Sequence, residues 1–209
     1  MTTNKMANQK NVGTFKDLFD VILNGNKENS RKCAREVRKF LYSSNSDGKF
    51  DEIALITEHA PEEYFKIKED WRGENFVIAV SVLYYLHGRE NPPNFLFPWL
   101  LHLLQHKNGN IRHSAVRMLE NELGPLTVHL RCPEYKQSKI KSKQSDFILF
   151  NLYIALNNLL ADLWEPRYKK YTYVASLTAC PYKSIQMVMG KLEYDCGEEC
   201  IKQFKKGLF

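Results

Sequence analysis

Residues 91–131 read NPPNFLFPWLLHLLQHKNGNIRHSAVRMLENELGPLTVHLR, and the folding of this stretch decides how the rest of the chain is read. It predicts two antiparallel helices joined by a tight turn at Lys107-Asn108-Gly109-Asn110. Pro92 and Pro93 mark the beginning, because proline suits the first turn of a helix and pushes the residue before it away from helical geometry. From Phe95 to Leu104 the apolar residues are almost continuous: Phe95, Leu96, Phe97, Trp99, Leu100, Leu101, Leu103 and Leu104. Such a segment is too apolar for a surface helix and too short to cross a bilayer. It is expected to lie inside, covered on more than one side.

Asn108-Gly109 signals the turn, and Asn110 is expected to cap the second helix. That helix carries Ile111, Ala115, Met118, Leu119 and Leu123 on one stripe, with Arg112, His113, Arg117 and Glu120 directed elsewhere. Gly124 followed by Pro125 is expected to end it. The run Asn110, Ile111, Arg112 and Ala115 resembles the second helix of a HEAT-type repeat. That helix often opens with an acidic residue or Asn, then Val or Ile, then Arg, with Ala one turn beyond. The resemblance implies an all-α fold, a right-handed α-α superhelix of about four to five HEAT-like helix pairs. It also implies a concave row of helices whose exposed side chains bind a partner.

The remainder of the chain fits this expectation. Thr14 can cap a helix bearing Phe15, Leu18, Phe19 and Ile22, and Asn24-Gly25-Asn26 ends it. A second helix from about Asn29 turns Cys33 or Ala34, Val37, Phe40 and Leu41 inward and Arg31, Lys32, Arg35, Arg38 and Lys39 outward. Ser43 to Gly48 is a polar turn. Helices follow at 50–59, extended by 61–71, and at 74–87. The alanines Ala34, Ala79, Ala115 and Ala155 recur at intervals of roughly 45, 36 and 40 residues, as equivalent close contacts in successive repeats would. Residues 1–13 are expected to form a disordered leader, ahead of a single helical repeat domain over 14–209. Residues 133–144, with Lys136, Lys139, Lys141 and Lys143, read as an exposed basic loop. A long apolar helix starts at Ser145-Asp146, and helices are expected at 166–178, 181–194 and 196–206.

Composition narrows the function classes. The chain has 209 residues, 44% hydrophobic and 26% charged, an ordinary balance for a globular protein. Its net charge of +6 suits an acidic partner. The five cysteines, Cys33, Cys132, Cys180, Cys196 and Cys200, are odd in number and scattered, which argues for a reducing compartment. The first residues lack the apolar core of a secretory signal, and no run reaches transmembrane length. The expectation is an intracellular, cytoplasmic protein without membrane insertion, with the nucleus open as well.

Chemistry-bearing patterns are few. His102 and His106 share a helical face, but no Glu stands between them as zinc hydrolases require, so no metal is assigned. Cys196 and Cys200, with Cys180 before them, lack the paired spacing of a zinc knuckle. There is no phosphate-binding glycine loop and no nucleophile elbow, and no catalytic residue or cofactor is expected. Trp164-Glu165-Pro166-Arg167-Tyr168-Lys169-Lys170 interleaves aromatics with cations, a pattern that stacks bases and neutralises phosphates, or else seals the end of a core helix. Residues 172–193 resemble a helix-turn-helix, with Tyr182, Lys183, Ser184 and Gln186 directed to a major groove. In size and expected architecture, though in no motif, the chain is also similar to DNA glycosylases that act on alkylated bases.

The leading expectation is a non-enzymatic scaffold that binds an acidic protein segment along the concave surface. The binding candidates are Arg35, Arg38, Arg112, Lys139, Lys141, Lys143, Trp164, Arg167, Lys169 and Lys170. Nucleic-acid binding through the same cations is the alternative, and enzymatic activity ranks third.

Overall fold

Most of the apolar periods just described close into helices. The computed structural model describes residues 14–40, 49–86, 96–132, 134 and 139–207, and among these it contains ten α-helices and no strand. The helices are α1 (Phe15–Asn24), α2 (Lys27–Lys39), α3 (Lys49–Glu58), α4 (Ala60–Phe65) and α5 (Asp70–Tyr84). They continue with α6 (Phe97–Leu104), α7 (Gly109–Leu126), α8 (Val128–Arg131), α9 (Lys139–Asp162) and α10 (Pro181–Lys206). None is long and apolar enough to cross a membrane among the described residues.

Local chemistry explains where the helices start. Thr14 and Asp17 form a reciprocal capping box on α1, with Asp17 N–H donating to Thr14 Oγ1 at 3.1 Å and Thr14 N–H to Asp17 Oδ2 at 2.9 Å. Asn26 caps α2 by accepting from Asn29 N–H at 2.9 Å. The cap of α7 is Asn108 rather than Asn110: the Asn108 side chain accepts from Asn110 N–H at 2.9 Å. Pro125 does not end α7, which runs to Leu126, because a proline in the last turn forfeits a single backbone bond. Arg131 takes up the Gly124 carbonyl there, at 2.9 Å.

Packing follows from the buried stripes. Phe15, Phe19 and Ile22 of α1 meet Ala34 and Val37 of α2, and the buried residues continue without interruption to Phe204 near the end of α10. Leu96, Leu100, Leu103 and Leu104 are wholly buried, as the apolar run of α6 requires. Each such side chain contributes about 1.5–3 kcal/mol relative to exposure. In sequence order, α2 packs on α1 and α5, α5 on α3, α4 and α7, α7 on α6 and α10, and α10 on α9. Thus α2, α5, α7 and α10 touch successively, each accompanied by the helix or helices before it.

A ladder of polar contacts joins the N-terminal ends of that row. Arg72, in the first turn of α5, donates to the Gly25 carbonyl between α1 and α2 at 2.9 Å. Glu74 accepts from Asn108 Nδ2 at 3.2 Å and Asn110 Nδ2 at 2.6 Å, at the start of α7. Arg112 donates through Nη1 to the carbonyls of His106 at 2.7 Å and Lys107 at 2.9 Å, and through Nε to Ser184 Oγ of α10 at 3.3 Å. The N termini of α2, α5, α7 and α10 therefore lie along one edge.

Several expectations need correction. Ala34, Ala79 and Ala115 are buried on α2, α5 and α7, but Ala155 is only partly buried and belongs to α9, whereas the next member of the row is α10. The expected basic loop at 133–144 is helical from Lys139 onward, because lysine and glutamine favour a helix whose next turns are anchored by buried Ser145 and Leu149. The expected helix at 166–178 is replaced by 3-10 turns at Pro166–Lys170 and Val174–Ser176. That segment has no apolar stripe of helical period, so nothing selects a longer helix. The first helix required by a helix-turn-helix over 172–193 is therefore absent. The leader 1–13, the turn at 43–48, residues 87–95, and residues 133 and 135–138 of the expected loop lie outside the described residues.

Candidate functional site

The segment after α9 folds back over the start of α10 and builds an aromatic cluster. Tyr168 is buried and stacks on Tyr182 with centroids 4.7 Å apart and planes 22° from parallel. Trp164 meets both rings, at 6.0 Å and 5.9 Å, and remains 43% exposed. Tyr168 O–H donates to Glu165 Oε1 at 3.0 Å, and Arg167 Nε lies 2.6 Å from Glu165 Oε2. Arg167 lies over the Tyr168 ring and Lys170 over Tyr171, at 5.5 Å and 5.0 Å from the centroids. Lys169 and Lys170 are exposed. Lys183 donates to the Leu177 carbonyl at 2.9 Å and the Ala175 carbonyl at 3.3 Å, and so holds the fold-back against α10. Tyr168 is thus buried against Tyr182, while Trp164 keeps part of its ring exposed.

The other sequence candidates are dispersed. Arg35 and Arg38 are exposed toward the C-terminal end of α2, away from the edge that carries the helix N termini. Arg112 is 6% exposed, and its donors go to two carbonyls and a serine of the ladder. Lys141 and Lys143 are exposed at the start of α9, and Lys139 lies on the same turn. They stand about 30 Å along the helix from its end, where Trp164 follows. The structure therefore gathers Trp164, Arg167, Lys169 and Lys170 and leaves the remaining cations elsewhere.

A small open cleft of about 180 Å³, not expected from the sequence, lies between α4, the start of α5 and the turn into α7. Tyr64, Asp70 and His106 line it. His106 lies beyond the end of α6, and its Nδ1 accepts from Asn108 N–H at 2.9 Å. Burial holds its pKa below the ordinary histidine value. Asp70, facing Lys107 Nζ at 2.8 Å, is held below the usual carboxylate range by that hydrogen bond and charge. Its ammonium partner and its own carboxylate are both well exposed, so the pair adds little stability.

The second buried cluster is near the C terminus. Cys196 and Cys200 flank the break at Gly197, and hydrogen bonding to Cys200 together with burial holds the Cys196 thiol far above its usual range. Asp195 is 3% exposed and accepts from Lys191 Nζ at 2.5 Å. Among the described residues there is no group of three or more His, Cys, Asp and Glu side chains placed to hold a metal ion.

Fold and surface together define an all-α protein with an exposed tryptophan and neighbouring cations at the N-terminal end of its last helix. Comparison with family models, curated proteins and solved structures finds no match for the chain.

Proposed function

We propose that this protein is a non-enzymatic interaction scaffold, built of HEAT-like helix pairs in a right-handed stack, that binds an acidic protein segment. The observation that carries the reading is Trp164, accessible on the Tyr168–Tyr182 stack and bordered by Arg167, Lys169 and Lys170. A flat apolar face beside exposed cations suits an acidic segment that also bears an apolar or aromatic side chain. The successive contacts of α2, α5, α7 and α10, with their N termini on one edge, support the repeat reading. Parallel helices also direct their positive dipole ends to that edge, which favours an anionic partner there.

A nucleic-acid reading draws on the same exposed ring, since a base stacks well on tryptophan. The separation of the Lys141–Lys143 and Arg167–Lys170 clusters to opposite ends of α9 favours the short acidic segment over a phosphate backbone, which is served best by a continuous line of cations.

Fluorescence anisotropy separates the two. Labelled Asp/Glu-rich peptides containing an aromatic residue, and labelled single- and double-stranded DNA and RNA, are titrated with the full chain across a salt series. The scaffold reading expects peptide binding that weakens about tenfold or more in Trp164→Ala and in Lys169→Glu/Lys170→Glu. Tight oligonucleotide binding with a steep salt slope transfers the function to nucleic acid. Absence of all binding at low salt removes both.

A further inference from the structure

We propose that Cys196 and Cys200 form a thiol redox site, a pair that closes into an intramolecular disulfide on reaction with a hydroperoxide and is reopened by a thiol reductant. Both are free and buried in α10. The Cys196 S–H donates to Cys200 Sγ, so the two sulfurs already face each other. The remaining cysteines stand elsewhere: Cys33 on α2, Cys132 just after α8 and Cys180 at the start of α10. The site lies about 20 Å along α10 from Tyr182 and the exposed Trp164, so the inference stands whether or not an acidic segment binds there.

The break in α10 gives the pair its geometry. In an unbroken helix, side chains four residues apart lie one above the other on nearly parallel Cα–Cβ bonds. That is a poor start for a disulfide, whose Cβ atoms must approach to about 3.8 Å. Gly197, at φ 75° and ψ 166°, interrupts the helical geometry between the two cysteines and re-aims the segment that carries Cys200. A Cβ at Gly197 would meet no atom within 4 Å, so the glycine serves the backbone turn and not a close approach. Beyond the break the chain is anchored, because Ile201 and Phe204 are buried and the Phe204 ring meets Phe150 and Tyr153 of α9 at 5.8 Å and 5.5 Å. Cys200 is thereby kept facing Cys196.

The two sulfurs take different roles. Hydrogen bonding to Cys200, burial and the carboxylates of Asp195 and Asp146 keep the proton on Cys196. The same hydrogen bond holds the Cys200 thiol below its ordinary range, against the opposing effects of burial and Asp146. Both carboxylates are fixed in place, Asp195 by Lys191 Nζ at 2.5 Å and Asp146 by His129 Nε2 at 2.8 Å. Cys200 is therefore the attacking sulfur. Its thiolate breaks the O–O bond of hydrogen peroxide, forming a sulfenic acid and releasing hydroxide, which takes up the displaced proton. Cys196 then attacks the Cys200 sulfur: the S–S bond forms, the S–O bond breaks, and the Cys196 proton leaves in water. Two thiols and one peroxide thus give one disulfide and two waters. The loop closed spans only residues 196–200, and a bond across so short a loop adds little stability, which suits a reversible switch better than a structural staple.

Hydrogen peroxide titration of the full reduced chain, followed by alkylation, trypsin and mass spectrometry, tests the inference. Residues 192–202 form a single tryptic peptide that holds both sulfurs. The expected product is that peptide two hydrogens lighter and closed to alkylation, restored by dithiothreitol, in a chain that keeps its helical circular dichroism. In Cys196→Ser the second thiol is missing, so Cys200 stays as the sulfenic acid and is trapped by dimedone. In Cys200→Ser, dimedone labelling of Cys196 should be lower by about tenfold or more. A peptide that remains fully open to alkylation, or that gains oxygen instead of losing hydrogen, overturns the inference. A disulfide that forms only in urea, or that unfolds the helices as it forms, does the same. Equal dimedone labelling of the two variants, each folded by circular dichroism, removes the asymmetry between the sulfurs and overturns it as well.

Discussion

Arg112 of α7 reaches Ser184 of α10, with Nε 3.3 Å from Oγ, while its Nη1 binds the carbonyls of His106 and Lys107. One buried guanidinium thus closes the turn between α6 and α7 and ties it to the next helix of the row. Arg112→Ala is expected to cost about 3 kcal/mol, because it strands carbonyl acceptors as well as deleting charged hydrogen bonds. Arg112→Lys should recover only part of the loss, since an ammonium cannot reproduce the planar fork. Urea denaturation of the three proteins checks this. A cost below a few tenths of a kcal/mol would show that the contacts are incidental.

The partial burial of His106 makes stability depend on pH in a defined direction. In the unfolded chain the imidazole takes up a proton near ~6.5, but in the fold burial lowers its pKa, and Nδ1 already accepts from Asn108 N–H. Between those two values the unfolded state holds more protons, so stability is lost as pH falls from about 6.5 toward the folded value, and is unaffected by this group above it. The urea midpoint should therefore drop between pH 7 and 5. In His106→Gln that drop should shrink, and an unchanged slope would assign it to another group.

The glycines of α10 make opposite forecasts. Gly197 has φ 75° and ψ 166°, a conformation that a side chain strongly disfavours. Gly197→Ala should destabilise by about 1–3 kcal/mol. Gly190 is helical and a Cβ there meets no atom within 4 Å, so Gly190→Ala should stabilise by about 0.5–1 kcal/mol. Thermal melts of the two variants decide it; the same sign for both would refute the assignment of the break.

Thiol labelling should follow the packing. Cys132 and Cys180 are partly exposed, while Cys196 and Cys200 are buried and Cys196 is held protonated by hydrogen bonding and burial. Brief iodoacetamide treatment at pH 8, read by mass spectrometry, should modify Cys132 and Cys180 first and Cys196 last. In urea the order should vanish. Early modification of Cys196 in the native protein would contradict the buried position of the pair.

What the residue order determined by itself was the helical content and the placement of most helix ends. The cap at Thr14, the turn at Asn24-Gly25-Asn26, the apolar run of α6 and the stripe of α7 act within one or two turns, so their signals sit side by side in the chain. The same holds for Trp164 to Lys170, whose aromatic and basic character was legible because the residues are consecutive. Tertiary structure decided the rest. Arg112 looked like an outward cation because its acceptors lie on a turn and on a helix 72 positions later. Tyr182 looked like a base-reading residue until Tyr168 was brought to stack on it. Lys139, Lys141 and Lys143 looked like a loop because their helix is held in place by burial further along, at Ser145, Leu149 and Leu152. Helical periodicity records which face of a segment avoids water, but it does not record which other segment covers that face. That depends on pairing between distant helices, where hydrogen-bond partners and stacking rings come together only after the chain has packed.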